Sequence, residues 1–368
     1  MPEAFGYLSY VFTLIFFIYN FIDLGLSTYG AREVAKYKSR ASAYVSEIVS
    51  FRIIIAAGLS VVIIIATYLF YRTSPLAVLM VESLLILFML AVAMEWAFQG
   101  LEKMPIIFFS LCATSILQLA LICGFVKGPG DLLKVPLLYS LAALPVVMIF
   151  LKSLKFRLFI KIDDLKRMAS YLSSSLVIWS ICLCAQIYNS MDIFLLGLLR
   201  PIAEVGQFSI ARRFIGSIAL LTIFLANTLL PRLSSTFNKD MAQFKSATRQ
   251  FLKLGLALVV FLLLPSVFFS NKLILLVVGG DYLPAGLPFT IMAIGLIFVI
   301  FNLPYSTGLI AAGLEKGVLK QAAVSAVLSI TANIFLIPKY GMVGARRYRS
   351  LWQRRWRWCG LRGSIARK

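Results

Sequence analysis

Apolar residues run through this chain in stretches of about twenty, parted by short polar connectors, with no sustained period-two alternation. Ten stretches stand out, at about 4–29, 50–70, 76–99, 104–126, 133–151, 171–199, 203–230, 250–270, 285–310 and 317–337, here A to J. A helix needs ~20 mostly apolar residues to cross ~30 Å of hydrocarbon. Backbone amides in lipid must be bonded within the segment, so an apolar run of that length predicts a helix. Strands of an outer-membrane barrel would alternate apolar and polar positions, which these runs do not. The longest polar stretches, 30–49, 152–170 and 231–249, are connectors and not soluble domains. The pattern predicts an all-α polytopic membrane protein with about ten transmembrane helices.

Composition agrees: of 368 residues, 61% are hydrophobic and 14% charged, with a mean hydropathy of +0.92. Soluble domains are roughly half apolar and a quarter charged, so an ordinary soluble enzyme is excluded. Charge complicates the picture, because 36 Lys and Arg stand against 15 Asp and Glu, a net +21. Such a balance invites a nucleic-acid partner until the positions are read. The alternate connections A–B, C–D, E–F, G–H and I–J hold nineteen Lys and Arg, the other four connections five. Cations collect on the cytoplasmic side, so A–B faces the cytoplasm and helix A starts outside. Met1-Pro2-Glu3 lacks the basic start of a signal peptide. Bacterial transporters normally begin inside, so this topology implies one further helix before A. No nucleic-acid partner is expected.

Histidine is absent, and Cys112, Cys123, Cys182, Cys184 and Cys359 form no CxxC pair, so neither a zinc site nor a disulfide framework is expected. No Walker loop is present either, Lys127-Gly128-Pro129-Gly130-Asp131 reading as an outer turn. The reading calls for no cofactor and no enzyme activity. Energy for transport would come from a gradient or from consumption of the substrate on the far side.

The chain repeats itself. At an offset of 200, Gly6, Ser9, Arg32 and Phe51 match Gly206, Ser209, Arg232 and Phe251. Gly100-Leu101-Glu102-Lys103 recurs as Gly313-Leu314-Glu315-Lys316, each time before the next helix. Stretches A–D recur as G–J in the same orientation, a parallel repeat. Two pseudo-repeated bundles are therefore expected, over 1–151 and 171–345, joined by a cytoplasmic linker at 152–170. A cleft between two such bundles is what alternating access uses.

Ala93-Met94-Glu95-Trp96-Ala97-Phe98-Gln99-Gly100-Leu101-Glu102-Lys103 resembles the acidic-Trp-x-Phe-Gln-Gly-x-Glu-Lys signature of O-antigen and related polysaccharide flippases. These belong to the multidrug/oligosaccharidyl-lipid/polysaccharide exporter superfamily. Pro2–Gly6, Asp23-x-Gly25, Asn189-x-x-Asp192, Glu204-x-Gly206-x-x-Ser209, Leu230–Leu233 and Asn333–Gly341 are similar to other parts of that family. The resemblance covers 1–345 and implies a twelve-helix, two-bundle protein of the bacterial inner membrane. On that pattern the first and last helices are lacking here. It implies translocation of undecaprenyl-pyrophosphate-linked oligosaccharide, with membrane lipid, a polysaccharide polymerase and a chain-length regulator as partners.

The resemblance stops after Gly344-Ala345. Residues 346–368 carry eight Arg, one Lys, no acid and three of the five Trp. A polybasic lipid- or nucleic-acid-binding tail would lie on the wrong side of the membrane, and a cloning scar is a second reading. A frameshift is the third and the preferred one. Codons for Ser350–Cys359 can be chosen that, read two bases on, spell Ser-Val-Ala-Glu-Ala-Val-Ala-Val-Val, a plausible apolar helix.

Charges inside apolar stretches are functional candidates. Asp23 lies in A, Glu82 and Glu95 in C, Asp192 in F, and Arg212 and Arg213 in G. Glu95 and Gln99 are one turn apart on one face, where a cap or an interfacial charge is the plainer reading. Neighbouring helical positions diverge by about 100°, so one arginine of the pair 212/213 is expected to face the cleft. The other would snorkel or pair with Asp192. Guanidinium suits a pyrophosphate headgroup. Asn189 and Asp192 could bind sugar hydroxyls or a coupling ion, or lock two helices. Arg32 and Arg232 read as topology anchors, with Arg52 between the two readings. The candidate substrate residues are thus Arg212, Arg213, Asn189, Asp192, Glu95, Gln99, Asp23 and Arg52. A flippase is the expected function, against a multidrug or small-molecule antiporter on the same scaffold. A membrane polysaccharide polymerase and an inactive truncated product are the rivals of other classes.

Overall fold

The computed structural model describes residues 1–71, 74–153, 162–237, 267–297 and 315–363, with short pieces between 246 and 261. Within these, the side chains of 71, 129, 162–169, 221–237, 315–316, 318 and 344–363 are outside the description. The described residues are helical, with no strand among them. Eight helices among them are long and apolar enough to cross a membrane: 2–23, 38–70, 75–100, 104–125, 130–153, 170–199, 280–297 and 319–343. They coincide with stretches A to F, I and J. G falls in α9 (Ile202–Phe237), whereas part of H, at 251, 258–259 and 262–266, and the second half of I lie outside the described residues.

Two stretches expected to be single helices are broken, and both breaks have local causes. A is α1 (Pro2–Asp23) followed by α2 (Leu26–Lys36), because Leu24 (φ 47°) and Gly25 (φ 77°) turn left-handed between them. A β-carbon on Gly25 would lie 2.9 Å from the carbonyl oxygen of Ser175 and from the amide nitrogen of Trp179, so only glycine fits. C is α4 (Pro75–Ala91) and α5 (Glu95–Gly100), parted at Val92–Met94. Ser74 caps α4, its hydroxyl accepting from the Leu76 amide at 3.2 Å with Pro75 behind it. α5 ends where Glu102 turns left-handed and the Lys103 amide bonds back to the Phe98 carbonyl at 2.9 Å. B begins earlier than expected, as α3 (Ala41–Tyr71). α6 (Met104–Phe125), α7 (Val135–Ser153) and α8 (Ile162–Leu199) follow.

Contacts divide the chain into two units, Tyr7–Leu183 on the one hand and Met1–Gly6 with Cys184–Lys368 on the other. That division falls within α8 and near the start of α1. In the first unit α2, α3, α5 and α7 close on Leu26, Val34, Val45, Ile48, Trp96, Phe98 and Phe150. The Phe98 and Phe150 rings sit 4.6 Å apart. The outer faces of α3 and α6 expose Val61, Val62, Ile65, Phe108, Phe109 and Ile116, an apolar surface suited to lipid.

The second unit is joined at its start by two glycines from the two copies of the repeat. A β-carbon on Gly6 would run into the carbonyl oxygen of Ile202, and one on Gly206 into that of Pro2. Each glycine thus meets the backbone four residues before its counterpart, a reciprocal contact. Gly206→Ala is expected to destabilise the protein by about 1–3 kcal/mol through overpacking. Gly58→Ala in α3, where a β-carbon meets nothing within 4 Å, is expected to be neutral or slightly stabilising. Thermal unfolding of the two purified variants in detergent checks the contrast.

The last helix, α10 (Glu315–Gly363), contains one non-helical residue, Gly341 (φ 54°, ψ −138°). Glu204 serves this break: its carboxylate accepts from the Met342 amide at 3.1 Å and pairs with Arg200 at 2.9 Å.

Candidate functional site

The helix breaks place the charges of the first unit. Asp23 ends α1 just before the Leu24–Gly25 turn, and its carboxylate bonds the Arg52 guanidinium that reaches over from α3. Ser27 stitches the pair together: its hydroxyl donates to Asp23 at 2.6 Å and accepts from Arg52 at 2.7 Å. Arg52 also donates to the Ala93 carbonyl at 3.4 Å, a group freed by the gap between α4 and α5. The Trp96 ring lies 5.8 Å from the guanidinium carbon. Arg52 is fully buried while the Asp23 side chain keeps 17% exposure, and the Arg52 Nε has no hydrogen-bond partner among the described residues. This is a lock between two interrupted helices. A charge pair buried this way needs every remaining lone pair and proton used, and Ser27 and Ala93 supply most of that.

Glu95 starts α5 half-buried, and Gln99 stands exposed one turn on. Glu82, on α4, keeps one buried carboxyl oxygen without a hydrogen-bond partner among the described residues. Outside the spans, the hydrogen bond and charge of Lys38, 2.9 Å away, hold the Glu102 carboxyl below the ordinary carboxylate range.

In the second unit the two adjacent arginines part company, as their angular separation requires. Arg212 donates to Asp192 at 2.8 Å and to the Asn189 carbonyl, both on α8. Asp192 is buried and also accepts from the Ile193 amide at 2.9 Å. Arg213 is exposed, and its guanidinium carbon sits 4.9 Å from the Phe5 ring centre. Among the described residues Arg213 has no acidic partner. It lies about three turns into α9, within stretch G. Arg232 is among the side chains outside the description.

Of the expected residues, the structure brings together Asp23 with Arg52, and Arg212 with Asp192 and Asn189. Glu95, Gln99 and Arg213 stay out of both pairs. Sequence reasoning missed Ser27. Trp96 and Phe5 stand in the family-like segments 93–103 and 2–6 but are not among the expected site residues. Ser27 carries a faint signal, four residues after Asp23, but the intervening break makes that spacing uninformative.

A family model described as polysaccharide biosynthesis protein matches residues 1–237. The probable low-salt glycan biosynthesis flippase Agl15 of Haloferax volcanii is 24% identical over 223 residues, 60% of this chain and 47% of that protein. The chain therefore spans about half the length of the curated relative it matches. An inward-facing multidrug resistance MATE family transporter of the MOP superfamily superposes with a TM-score of 0.71 at 16% identity, covering 96% of this chain and 90% of the other. The lipid II flippase MurJ in an inward closed conformation gives 0.68 at 16% identity, over 96% of this chain and 84% of that one. A MOP superfamily transporter from Pyrococcus furiosus gives 0.62 at 12% identity, over 96% and 87%. With its helices laid out as in these transporters and its first 237 residues matching the family, the chain belongs to the polysaccharide biosynthesis protein family.

Proposed function

We propose that the protein moves a lipid-linked oligosaccharide across a bacterial inner membrane by alternating access, with an undecaprenyl-pyrophosphate-linked repeat unit such as O-antigen as substrate. Arg213 carries this reading. A guanidinium in an apolar stretch, exposed and without an acidic partner among the described residues, suits an anionic headgroup. The Phe5 ring beside it offers a face on which a sugar ring could stack. Membership of a polysaccharide biosynthesis family and likeness to a glycan flippase support the same substrate class. A carrier of cationic drugs on this scaffold would need an exposed acid where Arg213 stands. A polysaccharide polymerase and a chain-length regulator are the partners such a flippase would serve.

Complementation of a flippase-deficient strain tests the reading. The chain is expected to restore surface glycan, and Arg213→Gln to reduce the restored amount by about tenfold or more, the loss of one charge-assisted contact. Arg213→Lys should retain part of it. Normal rescue by Arg213→Gln, or no rescue by a membrane-inserted chain that expels cationic dyes, would overturn the assignment.

A further inference from the structure

A second group of polar side chains lies within the unit Tyr7–Leu183, in a groove between α2 and α5 of about 390 Å3. Small-ligand sites run from roughly 300 to 1,000 Å3. Thr28, Arg32 and Ala35 line it from one face of α2, at spacings of four and three residues. Trp96 and Gln99 line it from α5. The walls are close because of glycines. A β-carbon on Gly100 would lie 2.6 Å from the Ala31 carbonyl oxygen, and one on Gly30 would strike the Trp96 ring. Rigid packing therefore fixes the spacing of the groups above it.

Those groups are donors left unused by the described residues. Thr28, Arg32 and Gln99 are exposed, and none makes a side-chain hydrogen bond or ion pair with another described residue. Among the described residues no acid lines the groove. The carboxylates nearest along the chain are occupied elsewhere, Glu33 by Lys36 at 2.7 Å and Glu102 by Lys38 at 2.9 Å. Ser27, on the rim, is engaged with Asp23 and Arg52. What remains is a guanidinium fork, an amide and a hydroxyl facing one space, with no acid among the described residues paired to the guanidinium. That donor set matches the oxygens of a phosphate group.

We propose that this groove binds a phosphate headgroup, with Arg32 as the charged contact and Gln99 and Thr28 as flanking donors. The positive-inside count puts this connection on the cytoplasmic side, where anionic headgroups meet basic pockets. Binding here does not require that the chain transport anything. The phosphate could be free pyrophosphate, the headgroup of a polyprenyl pyrophosphate, or that of an anionic phospholipid.

Thermal unfolding of the full chain in detergent, titrated separately with inorganic pyrophosphate, a polyprenyl pyrophosphate and phosphatidylglycerol, tests the site. At least one probe is expected to raise the melting temperature, and Arg32→Gln to raise its half-saturating concentration by about tenfold. Arg32→Lys should fall between, and in an Arg213→Gln background, where the proposed transport contact is already removed, Arg32→Gln should still raise the half-saturating concentration about tenfold, which separates this site from the transport reading. A response to inorganic pyrophosphate places recognition in the phosphate alone; a response confined to one lipid identifies the source. Without ligand, Arg32→Gln should melt like the parent, since Arg32 is exposed. Should it not fold, Gln99→Leu on the opposite wall is expected to weaken binding about threefold, the loss of one ordinary hydrogen bond. No shift with any probe, or equal titration of parent and whichever variant folds, overturns the site.

Discussion

Arg52→Leu is expected to cost about 3–5 kcal/mol of stability, the penalty for removing one partner of a buried ion pair. Arg52 is fully buried between the ends of two interrupted helices, bonded to Asp23, Ser27 and the Ala93 carbonyl. Leucine fills part of the volume but takes the cation away from the Asp23 carboxylate, which among the described residues keeps only the Ser27 hydroxyl and amide, and from the Ala93 carbonyl, which keeps only the Trp96 indole N–H. Arg52→Lys is not a conservative change here, because a single ammonium cannot reach three acceptors in the plane of the fork. Asp23→Leu alone should be as damaging, since it strands the cation. Combining Arg52→Leu with Asp23→Leu is expected to recover a large part of the loss, giving a coupling energy of about 0.5–3 kcal/mol in a double-mutant cycle. Thermal unfolding of the four proteins in detergent supplies the numbers. A parent-like melting temperature for Arg52→Leu would show that the pair does not hold the two breaks together.

Asp192→Ala is expected to follow at about 3 kcal/mol, the low end for a buried pair, because Arg212 retains 23% exposure and water can soften its isolation. Asp192 itself is 4% exposed. The adjoining Arg213→Gln should leave stability within about 0.5 kcal/mol of the parent, as surface changes usually do. Two arginines next to each other in sequence would then separate by readout, one through melting temperature and the other through glycan export. Equal melting of Asp192→Ala and the parent would mean that Arg212 finds another acceptor and that the pair is incidental.

Helix positions were largely legible in the sequence, because lipid leaves the backbone no alternative once twenty apolar residues stand in a row. The breaks were not. Hydropathy sums apolarity over a window and is blind to the left-handed turn at Leu24 and Gly25 or to the gap at Val92–Met94. Those few residues decide which charges meet. Arg52 and Asp23 are 29 positions apart, and no local pattern joins them. For the arginine pair, helical geometry dictated that only one could turn toward Asp192. Choosing Arg212 required knowing how α8 and α9 lie side by side. The flat, donor-lined groove below Arg32 was also hidden, since Arg32 reads as one more cation in a basic connector until Gly30 and Gly100 draw α5 against it.

The reciprocal contact of Gly6 and Gly206 closes a route by which proteins commonly repair damage. A side chain that crowds a neighbouring side chain can be accommodated by trimming the neighbour. Here the obstacles are the carbonyls of Ile202 and Pro2, which every residue type carries. The joint also has the logic of a self-complementary dimer interface folded into one polypeptide, each glycine abutting the other's partner strand of backbone. Suppressor selection starting from Gly206→Ala should therefore return glycine at 206 itself, because no exchange at 2 or 202 removes what the added methyl group strikes.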